Sequence, residues 1–426
     1  MATVLPFQGT RYNPEHVKLG RVLAPPYDVI TDAQREQLYG RDLRNILRID
    51  YGVSYPNDVE GVDDRYTRAA SFLASWLDLG VLVRDVPASF YVVDHHFQHP
   101  DGTQRMRRGV LGTVAATPWE TSDLRPHERT LRGPKLDRLA LLRATRAQTS
   151  PVFAVWTDAD RIAETLDGVA IGDALLGGRI DGEIASEKLL LWRVAGPPRV
   201  EAIERALRSA ALYVADGHHR YETAAAYAEE RRGADVAAPP GAPWERCLVY
   251  LAAADDPGIT ILPTHRLVRP GPGIAFSLDD LWARLDDVYE ALPAADGRAA
   301  LAAASSMHAT HHAFAVVAND GAAVLRRPRR DEGSPRDRLD VAVLEAEVLG
   351  PAGVSRDMIS GGALAYTRDP GELDAAVTRG EAILAFGVLP VSTDEVIAVA
   401  GAGETMPQKS TYFYPKVPTG LALFEV

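Results

Sequence analysis

Cysteine is almost absent from this sequence, since Cys247 is the only one among 426 residues. A single cysteine cannot form an intrachain disulfide, and its apolar neighbours are typical of a buried position. No run of about 18 apolar residues occurs, so no transmembrane helix and no membrane partner are predicted. The first seven residues contain no basic group and no long apolar segment. We therefore expect no secretion signal and a cytoplasmic protein.

Positive charge is also in deficit, because the formal net charge is −12. A field of this sign repels a phosphate backbone, so we predict no nucleic-acid partner. A small basic pocket for one nucleotide remains compatible with that charge. No feature of the sequence bears on the oligomeric state.

Several common catalytic motifs are missing as well. Gly403 lies at the right distance for a Walker A loop, but Gln408 stands where the second glycine is required. There is no GxSxG elbow, no glycine-rich dinucleotide fingerprint and no HExxH zinc motif. These absences exclude the hydrolases, dehydrogenases and metalloproteases that depend on those motifs.

Predicted helices and strands alternate along the whole chain, which indicates an α/β fold with a mixed sheet. A short buried strand over 212–215 is followed by a helix from about 219 to 232. Near the end of the chain, further strands are predicted over 382–388 and 396–400. We expect three segments: an α/β region over 1–268, an inserted lid or subdomain over 269–345, and a C-terminal α/β segment over 346–426 that completes the core.

The most informative motif joins that buried strand to the helix after it and consists of Asp216, Gly217, His218, His219 and Arg220. Gly217 permits a turn that other residues resist, and the helix then opens with N–H groups and a positive dipole end. Phosphate binds well in this geometry, and Arg220 can add a bidentate contact. Asp216 is a candidate ligand for a divalent cation. The alternative is a polar turn in which Asp216 caps the helix.

A second motif contains His127, Glu128, Arg129 and Thr130. A carboxylate beside a histidine and arginines can act as a general base. The alternative is a charged loop that enters a helix.

Two further segments are candidate sites. Lys409, followed by the hydroxyls of Ser410 and Thr411, suits phosphate or carboxylate binding, and the alternative is a strand with polar flanks. Two prolines precede Tyr27 and Asp28 and fix an extended backbone that presents both side chains. The alternative there is a rigid turn.

Taken together and in their order along the chain, from Tyr27 to Thr411, the four motifs resemble the bacterial and archaeal family called domain of unknown function 1015. The resemblance covers nearly the whole chain. A more distant resemblance is to free-serine kinases with a ParB/sulfiredoxin-like fold, which carry a Pro-His-Glu segment, a strand ending in Asp-Gly-His-His-Arg, and a C-terminal Pro-Lys-Thr-Thr.

The second resemblance implies a ParB/sulfiredoxin-like nucleotide-binding core with an additional α/β subdomain. It also implies ATP or ADP with Mg²⁺ as cofactors and a hydroxyl acceptor such as free L-serine. Glu128 would be the base, with His127 and Asp216 as further catalytic residues and Asp216 as the candidate Mg²⁺ ligand. The implied phosphate-binding residues are Gly217, His218, His219, Arg220, Lys409, Ser410 and Thr411. The implied substrate-binding residues are Tyr27, Asp28, Arg129 and Thr130.

We therefore predict a small-molecule phosphotransferase whose DGHHR turn shares one pocket with Glu128 and Lys409. Two other functions stay open at this point. One is a phosphatase that acts on a phosphorylated small molecule at the same site. The other is a nucleotide-binding regulator without catalytic activity.

Overall fold

The fold comes from a computed structural model. It describes residues 3–128, 132–157, 162–170, 174–235, 238–285, 287–330 and 332–426, with the side chains of 132–134 excluded.

The elements are numbered in chain order within the described ranges. The strands are β1 Gly9–Tyr12, β2 Leu82–Arg84, β3 Phe90–Gln98, β4 Gln104–Ala115, β5 Leu124–Arg125, β6 Ala147–Gln148, β7 Val152–Thr157, β8 Leu176–Asp181, β9 Ser186–Val194, β10 Ala211–Asp216, β11 Arg246–Ala253, β12 Thr260–Leu262, β13 His265–Val268, β14 Glu290–Ala294, β15 His311–Ala318, β16 Gly321–Pro328, β17 Leu364–Thr367, β18 Leu384–Gly387, β19 Tyr412–Tyr414 and β20 Leu423–Glu425. The α-helices are α1 Leu19–Val22, α2 Asp32–Arg41, α3 Leu47–Asp50, α4 Arg65–Asp78, α5 Arg132–Thr145, α6 Ile162–Val169, α7 Pro197–Leu207, α8 His218–Ala234, α9 Leu278–Trp282, α10 Gly297–Met307, α11 Asp340–Val343, α12 Arg356–Ser360, α13 Glu372–Thr378 and α14 Thr393–Gly401. Short 3-10 helices span Tyr27–Val29, Trp119–Thr121 and Pro243–Glu245, and one π-helix spans Leu344–Leu349.

The chain folds into two compact units. The first, unit 1, comprises 1–126, 130–260 and 415–426, and the second, unit 2, comprises 127–129 and 261–414. Unit 1 contains a mixed sheet with strand order β5-β10-β7-β11-β4-β3-β9-β8. Within it β10 is parallel to β5 and antiparallel to β7, while β7 is parallel to β11. The predicted mixed α/β fold is therefore confirmed.

A smaller antiparallel sheet in unit 1 has the order β2-β1-β20-β6. Strand β20 lies between β1 and β6, with Phe424 opposite both Gly9 and Gln148. The C-terminal strand is thus an internal strand of this sheet.

The junction of β10 and α8 follows directly from its sequence. Leu212 and Val214 are fully buried, as expected for a strand inside a sheet. In α8, Tyr221, Ala224 and Ala228 lie at helical spacing and belong to the apolar core of unit 1. The core thus fixes both the strand and the helix that hold the turn between them.

Unit 2 is built on an antiparallel sheet with the order β14-β16-β15-β18-β13-β17. Leu373 and Val377 of α13 pack on this sheet. The strand predicted over 396–400 is wrong, because these residues belong to α14. Ser392 and Glu395 form a capping box that starts this helix, and that local signal outweighs the apolar run after it.

Within the described ranges, no helix is both long enough and apolar enough to cross a membrane.

Candidate functional site

The DGHHR turn begins where β10 leaves its regular pairing with β7. Val214 pairs with Ala154 and Asp216 with Phe153, so a β-bulge lies between them. Gly217 then has φ +93°, a left-handed conformation that glycine adopts without strain. A Cβ atom on Gly217 would lie 2.9 Å from the Arg220 guanidinium. The turn therefore needs glycine for its backbone and for the close approach of Arg220.

The Asp216 carboxylate lies between two cations of unit 1. Its Oδ1 accepts a hydrogen bond from Lys416 Nζ, and its Oδ2 accepts one from Arg220 Nη2. Burial alone would raise the pKa of Asp216, but the charges of Lys416 and Arg220 hold it at about 2. Asp216 is thus ionised at neutral pH and fixes both cations at the start of α8. The N-cap of this helix is Gly217 and not Asp216.

Arg220 also contacts the segment before β7. Its Nη1 donates to Ser150 Oγ at 2.8 Å and to the carbonyl of Pro151. The same side chain lines a cavity of about 50 Å³ together with Tyr27 and Arg138. The sequence therefore identified two residues, Tyr27 and Arg220, that the fold brings to one cavity.

Asp50 also lines this cavity and contacts Arg138. The Arg138 guanidinium lies 4.1 Å from the Tyr27 ring centroid, and its Nη1 donates to the Asp50 carbonyl at 2.7 Å. Thr149 Oγ1 donates to Asp50 Oδ1 at 2.5 Å, while Asp50 Oδ2 is buried without a hydrogen-bond partner. Burial and the charge of Asp28 raise the pKa of Tyr27 to about 12, so its hydroxyl keeps its proton. The cavity thus offers a phenol, two guanidinium groups and one unsatisfied carboxylate oxygen.

The two histidines of the turn differ in exposure. His218 is buried, with its ring 6.3 Å from that of Trp119, whereas His219 is half-buried. The His219 carbonyl accepts a hydrogen bond from Thr223 within α8. The first turn of α8 contains no acidic residue.

Five of the predicted residues, His127, Glu128, Lys409, Ser410 and Thr411, belong to unit 2. Glu128 Oε1 accepts the backbone N–H of Lys409 at 2.9 Å, and His127 Nε2 lies 3.0 Å from Thr411 Oγ1. Lys409 has φ +57°, an uncommon conformation for a residue other than glycine. This loop conformation directs the Lys409 N–H to the Glu128 carboxylate. Ser410 is buried and donates its hydroxyl hydrogen to the Pro407 carbonyl.

The structure thus assembles the predicted residues in two groups, one in each unit. Arg129 and Thr130 lie outside the described residues. A single pocket that joins Glu128 and Lys409 to the DGHHR turn stays a prediction.

A Mg²⁺ ion at Asp216 does not fit the observed contacts. As a magnesium ligand Asp216 would have to offer a carboxylate oxygen to the ion, and both of its oxygens accept hydrogen bonds from cations. Among the described residues, no group of three or more His, Cys, Asp or Glu side chains is placed to hold a metal ion.

Sequence reasoning missed Lys416, Arg138 and Asp50. Lys416 follows the Lys409 motif and Arg138 follows the Glu128 motif, so nearness to a motif was the available signal for both. Asp50 lies at the end of the short helix α3, and no pattern in the sequence distinguishes it from a surface carboxylate.

Fold and site together define a mixed α/β protein whose strand–turn–helix junction holds two cations on one part-buried carboxylate. The chain belongs to the family described as "Protein of unknown function (DUF1015)", whose model matches residues 4–342. The predicted family membership is therefore confirmed. No match was found among curated proteins.

Among solved structures, the chain is similar to a conserved hypothetical protein from Pyrococcus furiosus, with 13% identity, a TM-score of 0.36, and coverage of 73% of this chain and 93% of that one. It is also similar to a free serine kinase in complex with AMP, with 12% identity, a TM-score of 0.37, and coverage of 72% and 91%. A third is SbnI with a C-terminal truncation from Staphylococcus aureus, with 10% identity, a TM-score of 0.33, and coverage of 72% and 85%. At TM-scores below 0.5 these similarities carry no functional argument, and the ParB/sulfiredoxin-like core stays a prediction.

Proposed function

We propose that this protein is a nucleotide-dependent phosphotransferase that transfers a phosphoryl group between ATP or ADP and a small hydroxyl acceptor, with free L-serine as the specific candidate. The observation that carries the proposal is the pair of cations, Arg220 and Lys416, held by Asp216 at the start of α8. Catalysis of this kind depends on positioning and on charge stabilisation.

The turn has three properties that favour phosphate. The N-terminus of a long helix carries a partial positive charge, and its first N–H groups point outward along the helix axis. Arginine can contact two phosphate oxygens at once, while lysine adds a point charge. Asp216 holds both side chains in place before a ligand binds, which lowers the entropic cost of binding. We infer that the nucleotide phosphates bind here.

The cavity beside Arg220 limits how the nucleotide binds. At about 50 Å³ it has room for one or two water molecules but not for a nucleoside. We therefore assign Tyr27 and Arg138 to a single phosphate oxygen or hydroxyl group at the cavity mouth. Asp28, next to Tyr27, is kept as a candidate for the same ligand.

Glu128 is the proposed base for the acceptor hydroxyl. One of its oxygens already accepts the Lys409 N–H, which fixes the orientation of the carboxylate. A carboxylate has further lone pairs that can accept a proton. His127 is held by Thr411 and is assigned a positioning role. Because the Ser410 hydroxyl already donates to the Pro407 carbonyl, the proposal does not use it.

The test is to incubate the protein with ATP or ADP, in buffer containing Mg²⁺, and a set of hydroxy amino acids, and to follow phosphorus by NMR. We expect a phosphorylated acceptor. In a parallel incubation with phosphoserine and no nucleotide, release of free phosphate would instead identify a phosphatase. Nucleotide binding without turnover would identify a regulator and would overturn the proposal.

A further inference from the structure

Unit 2 contains a cavity of about 200 Å³ that is lined by none of the predicted site residues. Its buried floor carries Arg266 from β13, and Tyr366 from the neighbouring strand β17 lines it as well. Glu345 of the π-helix faces the same space, and exposed Arg356 and Gln408 lie at its edge. The volume equals about six or seven water molecules, at about 30 Å³ each. A compact small molecule fits this space.

Arg266 is an unusual residue for such a floor, because it is only 4% exposed. One guanidinium nitrogen donates to the Thr264 carbonyl, and the guanidinium carbon lies 5.9 Å from the Tyr366 ring centroid. Within the ranges that the structure describes, no carboxylate oxygen lies within 4.0 Å of this guanidinium. Burial lowers the pKa of Arg266 to about 10.

A buried charge without a close counter-ion is costly, and proteins normally pair it or neutralise it. Arginine stays protonated at neutral pH and presents a planar fork of donors that matches a carboxylate. An anionic group of a ligand would therefore supply the missing partner.

Glu345 restricts the chemistry of that ligand. Its charge acts on both Arg266 and Tyr366. A second negative charge on the ligand would be repelled by Glu345, whereas an ammonium group would be attracted. We propose that this cavity binds a small α-amino acid, with its carboxylate on Arg266 and its ammonium group towards Glu345.

The cavity also adjoins the proposed base. Gln408 lines it, and the next residue, Lys409, donates its N–H to Glu128. Burial and the charges of Glu345 and Glu128 raise the pKa of Tyr366. The assignment of this cavity as the acceptor site of phosphoryl transfer rests on the proposed function. The binding of an amino acid in the cavity does not depend on that function.

The experiment measures binding by calorimetry without nucleotide, using L-serine, L-alanine and succinate. We expect both amino acids to bind and the dianion succinate to bind more weakly. Arg266→Met should weaken amino-acid binding by about tenfold to a hundredfold, because a charge-assisted hydrogen bond is lost. Removing a buried, unpaired charge should not unfold the protein. Binding of L-alanine without any phosphoryl transfer to L-serine would uphold this site and reject the proposed function.

The matched control is Arg269→Met. Arg269 follows the same strand but is exposed and donates to the Gly362 carbonyl, so this variant should bind like the wild type. Glu345→Gln provides a second test, since it should raise the affinity for succinate relative to L-serine by about tenfold. Three results would overturn the proposal: no amino-acid binding by the wild type, equal binding by Arg266→Met, or tighter binding of succinate than of L-serine. If Arg266→Met fails to fold, Glu345→Gln decides the question. The proposal is overturned if this variant has the same affinity for succinate relative to L-serine as the wild type.

Discussion

Asp216 and Lys416 are 200 residues apart in the sequence, and their side chains form a part-buried ion pair. The same carboxylate holds Arg220 from the first turn of α8. A motif that is contiguous in sequence is thus completed by a residue from the far end of the chain.

This pair predicts a strong dependence of stability on Asp216. Asp216→Asn should lower the free energy of unfolding by about 3 kcal/mol, because two largely desolvated cations lose their counter-charge. Lys416→Met should also destabilise the protein, and the double variant should lose less than the sum of the two. Urea unfolding of the wild type, the two single variants and the double variant measures these free energies. Strictly additive losses would show that the two side chains do not interact.

Gly217→Ala should destabilise the protein by roughly 1–2 kcal/mol through its left-handed backbone alone, and should also weaken nucleotide binding. The second effect is expected because the added Cβ displaces the Arg220 guanidinium. The control is Gly233→Ala in the last turn of the same helix, where a Cβ meets no atom within 4 Å. That variant should be neutral or gain about 0.5–1 kcal/mol. Thermal unfolding and nucleotide titration compare Gly217→Ala with Gly233→Ala. Equal nucleotide affinity of the two variants would remove Gly217 from the site.

Glu128→Gln tests the mechanism rather than the location. Glutamine keeps an oxygen for the Lys409 N–H but cannot accept the acceptor's proton. We expect turnover to fall by about 10²- to 10⁴-fold while nucleotide affinity is retained. Glu404→Gln is the control, since Glu404 also accepts a backbone N–H, from Arg336, at 3.1 Å. A stable Glu128→Gln protein with wild-type turnover would end its assignment as the base.

The buried His265 predicts a pH dependence of stability. Its Nδ1 accepts the Val388 N–H at 3.2 Å, and burial lowers its pKa from 6.5 to about 4. Between these values the unfolded chain binds a proton that the folded chain does not. The free energy of unfolding should therefore fall as the pH drops from 6.5 to 4, by about 3 kcal/mol in total.

Unfolding of His265→Phe across this pH range provides the measurement, since that slope should disappear in the variant. His16→Gln, at an exposed position, should keep the slope. Identical pH profiles for wild type and His265→Phe would contradict the assignment.

Local signals in the sequence were sufficient for β10, the turn and α8, because apolar spacing and a glycine stand next to each other there. They were insufficient for α14, because its apolar run resembles a strand. The helix is indicated only by the capping residues Ser392 and Glu395. The shared cavity of Tyr27 and Arg220 could be anticipated only through the motifs that contain them. Asp50 and Arg266 could not be anticipated, because their importance comes from burial beside residues distant in sequence.

The internal position of β20 sets an order of events during synthesis. Strand β1 emerges early from the ribosome, but the strand that joins it to β6 follows all of 261–414. Unit 2 can therefore form on a nascent chain whose small unit 1 sheet is still open. Lys416 arrives equally late, so a chain that stops before it leaves Asp216 with Arg220 alone. The proposed phosphate site would therefore be complete only after Lys416 has been translated.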